Sequence, residues 1–253
     1  MRPNVLKQLF AQKTGAIGGW CSIGSPYSAE VLGHCGFDAV VVDLQHGMIF
    51  IDQAYAMLQA LSSTPSMPMV RVSENHFFEI NKLLDAGAYG LICPMIDTAE
   101  DAARFVSACR YPPRGTRSFG PTRGLLYGGP DYFDHADDTI ITYAMVETGR
   151  GIENLDAICA TPGLDGVFVG PADLSLALGV GPVVRWKDDP LAGALKRIVA
   201  AARKAGKMAG CFCVSEQMAI DAKHLGYDFV IAGQDAALVR AAGQARCDAI
   251  RKG

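Results

Sequence analysis

No apolar run in this chain approaches the roughly 20 residues needed to cross a bilayer. The opening Met1-Arg2-Pro3-Asn4-Val5-Leu6-Lys7 also lacks the apolar stretch of a secretory signal. A cytoplasmic protein without a membrane partner is the expectation. A dominant charge is missing too. Lys and Arg number 23 against 26 Asp and Glu, a net charge of −3, so there is no basic field to grip a phosphate backbone and nucleic acid is not an expected partner. The eight cysteines include no CxxC pair. Scattered through a chain long enough to bury a large core, they read as reduced thiols used as small apolar side chains. No linker or composition shift divides the sequence, so one domain over residues 1–253 is expected.

What is present is a repeating alternation. After an opening helix over 3–12, runs of β-formers at 16–22, 37–43, 68–72, 89–93, 140–147, 165–169, 208–213 and 227–232 alternate with helical stretches. The helices are expected at 26–35, 51–62, 74–86, 98–109, 151–160, 173–178, 190–205, 215–224 and 235–251. The run Phe37-Asp38-Ala39-Val40-Val41-Val42-Asp43 is continuously apolar between its aspartates, as a strand buried on both faces must be. Eight strands, each followed by a helix, in about 250 residues predict an α/β protein with the closed (β/α)8 architecture of a TIM barrel rather than an open sheet. One segment interrupts the rhythm. Residues 111–124, continuing toward Pro130, are too rich in Pro and Gly for regular structure and are expected to form a long loop. It carries Arg114, Arg117 and Arg123, either as solvated or subunit-contact charge or as a grip on an anionic acceptor substrate.

In such a barrel all strands end on one face, and side chains just past those ends share the mouth. Two of them are carboxylates: Glu147 follows Ala144-Met145-Val146, and Asp173 follows Val169-Gly170-Pro171-Ala172. Together they can hold one hard divalent cation, with substrate and water completing its shell. The alternative is that they merely cap the helices that follow, Asp173 in particular. Asp43, Gln45 and His46 follow the second strand, and Arg71 ends the third. Histidine moves a proton near neutral pH, and arginine holds a carboxylate or enolate oxygen through charge-assisted hydrogen bonds. No lysine lies within the expected strands, so a Schiff base has no obvious donor.

Read in order, Asp43-Leu44-Gln45-His46-Gly47, Val70-Arg71-Val72, Leu83-Leu84-Asp85-Ala86-Gly87-Ala88, Cys93-Pro94-Met95, Tyr111-Pro112-Pro113-Arg114-Gly115, Val146-Glu147-Thr148 and Val169-Gly170-Pro171-Ala172-Asp173-Leu174-Ser175 form a pattern. It resembles the class II, metal-dependent pyruvate aldolases of the HpcH/HpaI family, which includes 4-hydroxy-2-oxoheptanedioate, 2-dehydro-3-deoxyglucarate and 2-keto-3-deoxyrhamnonate aldolases. By that resemblance His46 is the catalytic base, Arg71 steadies the enolate, and Glu147 and Asp173 bind the metal. The resemblance also places the substrate carboxylate at the backbone of Ala172 and Asp173. It assigns Asp85 to raising the basicity of the histidine, whereas Asp43, three residues before His46, is the easier local partner; both stay open. Trp20, Gln45, Met145, Gly170 and Pro171 complete the expected substrate-binding set. Many relatives have glutamine where this chain has Met145 and glutamate where it has Gln45, which bears on substrate preference and on the environment of His46.

The reaction so implied is a reversible retro-aldol cleavage of a 4-hydroxy-2-oxo acid to pyruvate, or a related 2-oxo acid, and an aldehyde, with Mg2+, Mn2+ or Co2+ as cofactor. A carbon–carbon lyase acting on acyl-CoA esters, an oxaloacetate decarboxylase, and a silent barrel that only binds a keto acid are the alternatives. The resemblance further implies a homo-oligomer, trimer or hexamer, with the last helix packed on a neighbouring subunit. That helix is expected to begin with Asp235 as its N-cap and to present an alanine-rich face of Ala236, Ala237, Ala241, Ala242 and Ala245.

Overall fold

The computed structural model describes residues 1–253. Its centre is a closed barrel of eight parallel strands, each hydrogen-bonded to the next in the sequence, with the last paired to the first. In chain order the elements of the first half are α1 (Val5–Gln12), β1 (Ala16–Cys21), α2 (Pro26–Gly33), β2 (Ala39–Asp43), α3 (Ile51–Leu61), β3 (Met67–Arg71), α4 (Phe77–Asp85), β4 (Gly90–Cys93) and α5 (Ala99–Cys109). The second half continues with α6 (Thr122–Gly128), α7 (Tyr132–Thr139), β5 (Ile141–Val146), α8 (Gly149–Glu153), α9 (Leu155–Cys159), β6 (Gly166–Val169) and α10 (Pro171–Ala177). It ends with α11 (Leu191–Lys204), β7 (Met208–Phe212), α12 (Glu216–Leu225), β8 (Phe229–Gln234) and α13 (Asp235–Lys252). The fold is therefore the expected (β/α)8 barrel. No helix is long and apolar enough to cross a membrane.

The barrel is filled by large rings set against missing side chains. Trp20, Tyr143, Phe168, Phe212 and Phe229 form a connected aromatic stack, with neighbouring ring centroids 5.2–6.2 Å apart. Tyr143, Phe168 and Phe229 take space that Gly166, Gly210 and Gly18 leave empty on neighbouring strands. A Cβ at Gly166 would stand 2.6 Å from the ring of Tyr143, so the strand can pass only as glycine. At the opposite, N-terminal end, Asn4 caps α1 and donates its side-chain amide to the carbonyls of Tyr89 and Thr139, fastening α1 beneath β4 and β5.

Several expectations change. The segment expected to be irregular from 111 toward 130 contains α6, and α7 follows it without having been anticipated. Packing overrides propensity here: the ring of Tyr132 lies so close to Gly128 that a Cβ there would meet it at 2.6 Å. The three arginines of this segment are tied to the protein itself. Arg117 is fully buried, donates to Asp85 and Tyr132 Oη, and stacks on Tyr111; Arg123 donates to the carbonyl of Ala86 and to Ser62; Arg114 pairs with Asp138. These are the contacts of a structural clasp, with Arg114 alone half-exposed. The single helix expected over 151–160 is two short ones, α8 and α9, broken at Asn154, whose amide donates to the carbonyl of Asp97. Asp173 is not an N-cap either: Gly170 holds that position, and Asp173 sits in the first turn of α10.

Candidate active site

Strand register assembles the site. Asp43 and Arg71 end adjacent parallel strands and are direct partners in the ladder. Their side chains close a two-pronged ion pair, Arg71 Nε to Asp43 Oδ1 at 2.7 Å and Arg71 Nη2 to Asp43 Oδ2 at 2.6 Å. Only 1% of Asp43 and 6% of Arg71 is exposed. Trp20 Nε1 donates to Asp43 Oδ2 at 3.2 Å, and the guanidinium lies 4.9 Å from the Trp20 ring centroid. Burial pushes the Asp43 carboxyl up, but the hydrogen bonds and charge of Arg71 outweigh it and hold Asp43 below the usual carboxylate range. The guanidinium is thus fixed in position and orientation.

Asp43 also reaches the loop beyond its strand, where Oδ1 accepts from the backbone N–H groups of Gln45 (3.1 Å) and His46 (3.3 Å). It therefore contacts the backbone of His46 and leaves the imidazole, which is exposed, without a carboxylate partner in this chain. Asp85 does not supply one either: it closes α4 at the opposite end of the barrel and is paired with Arg117 at 2.8 Å. Of the two proposed supports of the base, one holds its loop and the other, within a single chain, holds the clasp.

Glu147 stands just past β5 and is only 2% exposed. Oε1 accepts from the backbone N–H of Met95 at 2.9 Å, while buried Oε2 has no donor. Burial raises its pKa to about 7, and the charge of Asp173 adds to the effect of burial, against the Met95 N–H and Arg71. Met95 holds a left-handed backbone (φ 55°) that a side chain seldom adopts, and its N–H is aimed at Glu147. Gly170 lies against the carboxylate: a Cβ there would come within 2.5 Å of Glu147 Oε2 and 2.6 Å of Met145 Cε. No three of the His, Cys, Asp and Glu side chains cluster at metal-ligand spacing. The donor set is two carboxylates, one of them buried with an orphaned oxygen, which fits an oxygen-ligated divalent ion that takes the rest of its shell from substrate and water.

The remaining expected residues divide. Ala172 and Asp173 occupy the first turn of α10, where backbone N–H groups have no intrahelical acceptor, and both are exposed. Gly170, Pro171 and Met145 are buried beside them. Gln45 is half-buried with its Oε1 lacking a donor. Trp20, expected against the substrate, is 1% exposed and lies beneath the site among Asp43, Arg71, Phe168 and Phe212. The roles of Met95 and Asp235 escaped the sequence reading. Met95 acts through its backbone, and only its place in the Cys93-Pro94-Met95 pattern marks it.

Comparison with known proteins agrees with this architecture. The HpcH/HpaI aldolase/citrate lyase family pattern matches residues 16–242. The hydroxypyruvate/pyruvate aldolase of Rhizorhabdus wittichii is 39% identical over 241 residues, covering 95% of this chain and 96% of that one. The 5-keto-4-deoxy-D-glucarate aldolase of Klebsiella pneumoniae is 38% identical over 252 residues, 99% of this chain and 98% of its own. Among solved structures, an aldolase/citrate lyase family protein from Burkholderia cenocepacia superposes with a TM-score of 0.91 at 31% identity, covering 97% of this chain and 98% of the other.

Proposed function

The chain belongs to the HpcH/HpaI aldolase/citrate lyase family and is a carbon–carbon lyase; from that premise we propose that it cleaves a 4-hydroxy-2-oxo acid reversibly to pyruvate, or a related 2-oxo acid, and an aldehyde, and that it needs a divalent metal to do so. The observation that carries the metal requirement is the buried Glu147 carboxylate with an oxygen no protein group satisfies, beside a second acid. Glu147 and Asp173 would hold Mg2+, Mn2+ or Co2+. When bound, such an ion polarises the 2-oxo group and neutralises developing negative charge. Relatives named for hydroxypyruvate, pyruvate and a keto-deoxy-glucarate support a 2-oxo acid as the substrate class.

The protein groups then divide the work. The free N–H groups of Ala172 and Asp173 take the substrate carboxylate. His46 removes the proton of the 4-hydroxyl, the C3–C4 bond breaks, the aldehyde leaves, and the electron pair passes into the enolate. Arg71, already turned by Asp43, donates to the enolate oxygen, so little reorganisation is needed as charge develops. A proton delivered to C3 completes the 2-oxo acid. Exhaustive chelation is expected to abolish turnover and Mn2+ or Co2+ to restore it, while borohydride added with pyruvate leaves the protein mass unchanged. Turnover that survives chelation, or pyruvate trapped by reduction, would assign a lysine Schiff base instead.

The protein is proposed to be a cytoplasmic homo-oligomer. Its eight cysteines are all free, as a reducing compartment keeps them. Beyond Asp235, α13 makes little use of its own barrel, with residues 236–247 all exposed, and Phe50, Phe78, Phe119 and Leu126 are exposed as well. Packing of α13 on a neighbouring copy would cover its alanine-rich face. Ending the chain at residue 239 is expected to convert a trimer or hexamer to monomers in sedimentation velocity; an unchanged sedimentation coefficient would remove α13 from the interface.

A further inference from the structure

Asp235 begins α13, and its carboxylate also reaches back to the first loop of the barrel mouth. It is 4% exposed and surrounded by donors. Oδ1 accepts from Ser22 N–H at 2.9 Å, Ser22 Oγ at 2.8 Å and Ala236 N–H at 2.7 Å; Oδ2 accepts from Ile23 N–H at 3.1 Å and Ser28 Oγ at 3.5 Å. Expected as an N-cap, it leaves that position to Gln234 and serves a loop 213 residues away in the chain.

The loop it holds grips the next one. The carbonyl of Ser22 accepts from Met48 N–H at 3.0 Å, and the side-chain amide of Gln53 donates to the Gly24 carbonyl at 3.4 Å. The two loops are so close that a Cβ at Gly24 would come within 2.6 Å of the Met48 carbonyl. Met48 lies two residues past His46. The segment carrying the imidazole is therefore fastened on both sides: Asp43 takes the N–H groups of Gln45 and His46 before it, and Ser22 takes the N–H of Met48 after it. The imidazole has no hydrogen bond of its own in the chain, so its placement depends on these backbone anchors.

We propose that Asp235 is a positioning residue for the reaction: by fixing Ser22 it sets the β2–α3 loop and thereby the proton-transfer geometry of His46. The inference rests on His46 being the base. A buried carboxylate meeting five donors is a rigid anchor, and general-base transfer falls steeply when the base is displaced by an ångström. Oxaloacetate decarboxylation, which the proposed enolate site would also support, is the control reaction. Its C3–C4 bond breaks with loss of CO2, the electron pair enters the same enolate, and a proton then adds at C3; no hydroxyl proton has to be removed by His46.

The test is Asp235→Asn in the full-length metal-loaded enzyme, with both reactions measured. Retro-aldol kcat is expected to fall about 10-fold with KM and the decarboxylation rate changed less than about two-fold. In a His46→Ala background the same substitution should cost less than about two-fold, because its effect passes through the imidazole. Ser22→Ala, which removes a single donor, should lower retro-aldol kcat about two- to three-fold in the same selective way and serves if Asp235→Asn folds poorly. Equal loss of both activities, or full additivity with His46→Ala, overturns the positioning role. A His46→Ala enzyme that keeps its retro-aldol activity overturns instead the assignment of the base.

Discussion

Arg71→Ala is expected to lower retro-aldol turnover by at least about 10²–10³-fold, the scale seen when one preorganised donor to a developing oxyanion is removed. The same change should destabilise the protein, because it leaves the Asp43 carboxylate buried without its cation. Breaking a buried pair from one side typically costs about 3–5 kcal/mol. The cost here should fall toward the lower end, since Trp20 Nε1 and the N–H groups of Gln45 and His46 still donate to Asp43. Combining Arg71→Ala with Asp43→Asn removes the stranded charge and should recover much of the stability while recovering none of the activity. Urea unfolding and pyruvate release separate the two effects. An Arg71→Ala enzyme within ten-fold of normal turnover would mean that the enolate oxygen has another partner.

Glu147→Gln is expected to stabilise the metal-free protein at alkaline pH while abolishing activity. Burial, with the charge of Asp173, moves this carboxyl from 4.5 to about 7 in the folded chain. The sign follows from linkage: the folded state holds the proton more tightly than the unfolded one, so stability falls as pH rises from about 4.5 to 7 and stays reduced above. At about 1.4 kcal/mol per pKa unit, the full effect by pH 8 is roughly 3 kcal/mol. Glutamine does not titrate, so the variant should melt higher than the parent at pH 8, with the difference disappearing near pH 5. Adding Mn2+ should reverse the order by raising the parent alone, through preferential binding to the native state. Melting curves with and without chelator decide it. A variant that is less stable at pH 8 would refute the proton-holding buried carboxyl, and one that Mn2+ stabilises as much as the parent would remove Glu147 from the metal site.

These expectations trace back to residues that the sequence exposes unequally. The barrel is legible because doubly buried strands must be continuously apolar, and because Asp43, Arg71 and Glu147 each interrupt such a run at its end. Asp43 shows how far this goes. Its location at the mouth follows from the strand, but its partner does not. Proximity along the chain favours His46, whereas the parallel register sets it directly across from Arg71, 28 residues on. The helices at 122–128 and 132–139 were hidden for a different reason: they are stabilised by Tyr132 packing into the spaces left by Gly124 and Gly128 and by Arg117 donating to Tyr132 Oη, a tertiary effect that overrides local composition. Asp235 was visible as a helix start and invisible as an anchor, since nothing local connects it to Ser22.

The pairing of β1 with β8 has a consequence for how the protein comes into being. On a ribosome the first seven strands can be laid side by side as an open sheet with two unsatisfied edges, the form most exposed to wrong partners. Closure waits for residues 229–234, and the carboxylate that fastens the first loop of the mouth arrives immediately after them. The loop bearing His46 is thus completed only after β8 and Asp235 have been made, although its own residues come far earlier in the chain. A nascent chain stalled before the final strand should lack aldol activity, which should appear only once β8 and Asp235 are free to close the barrel.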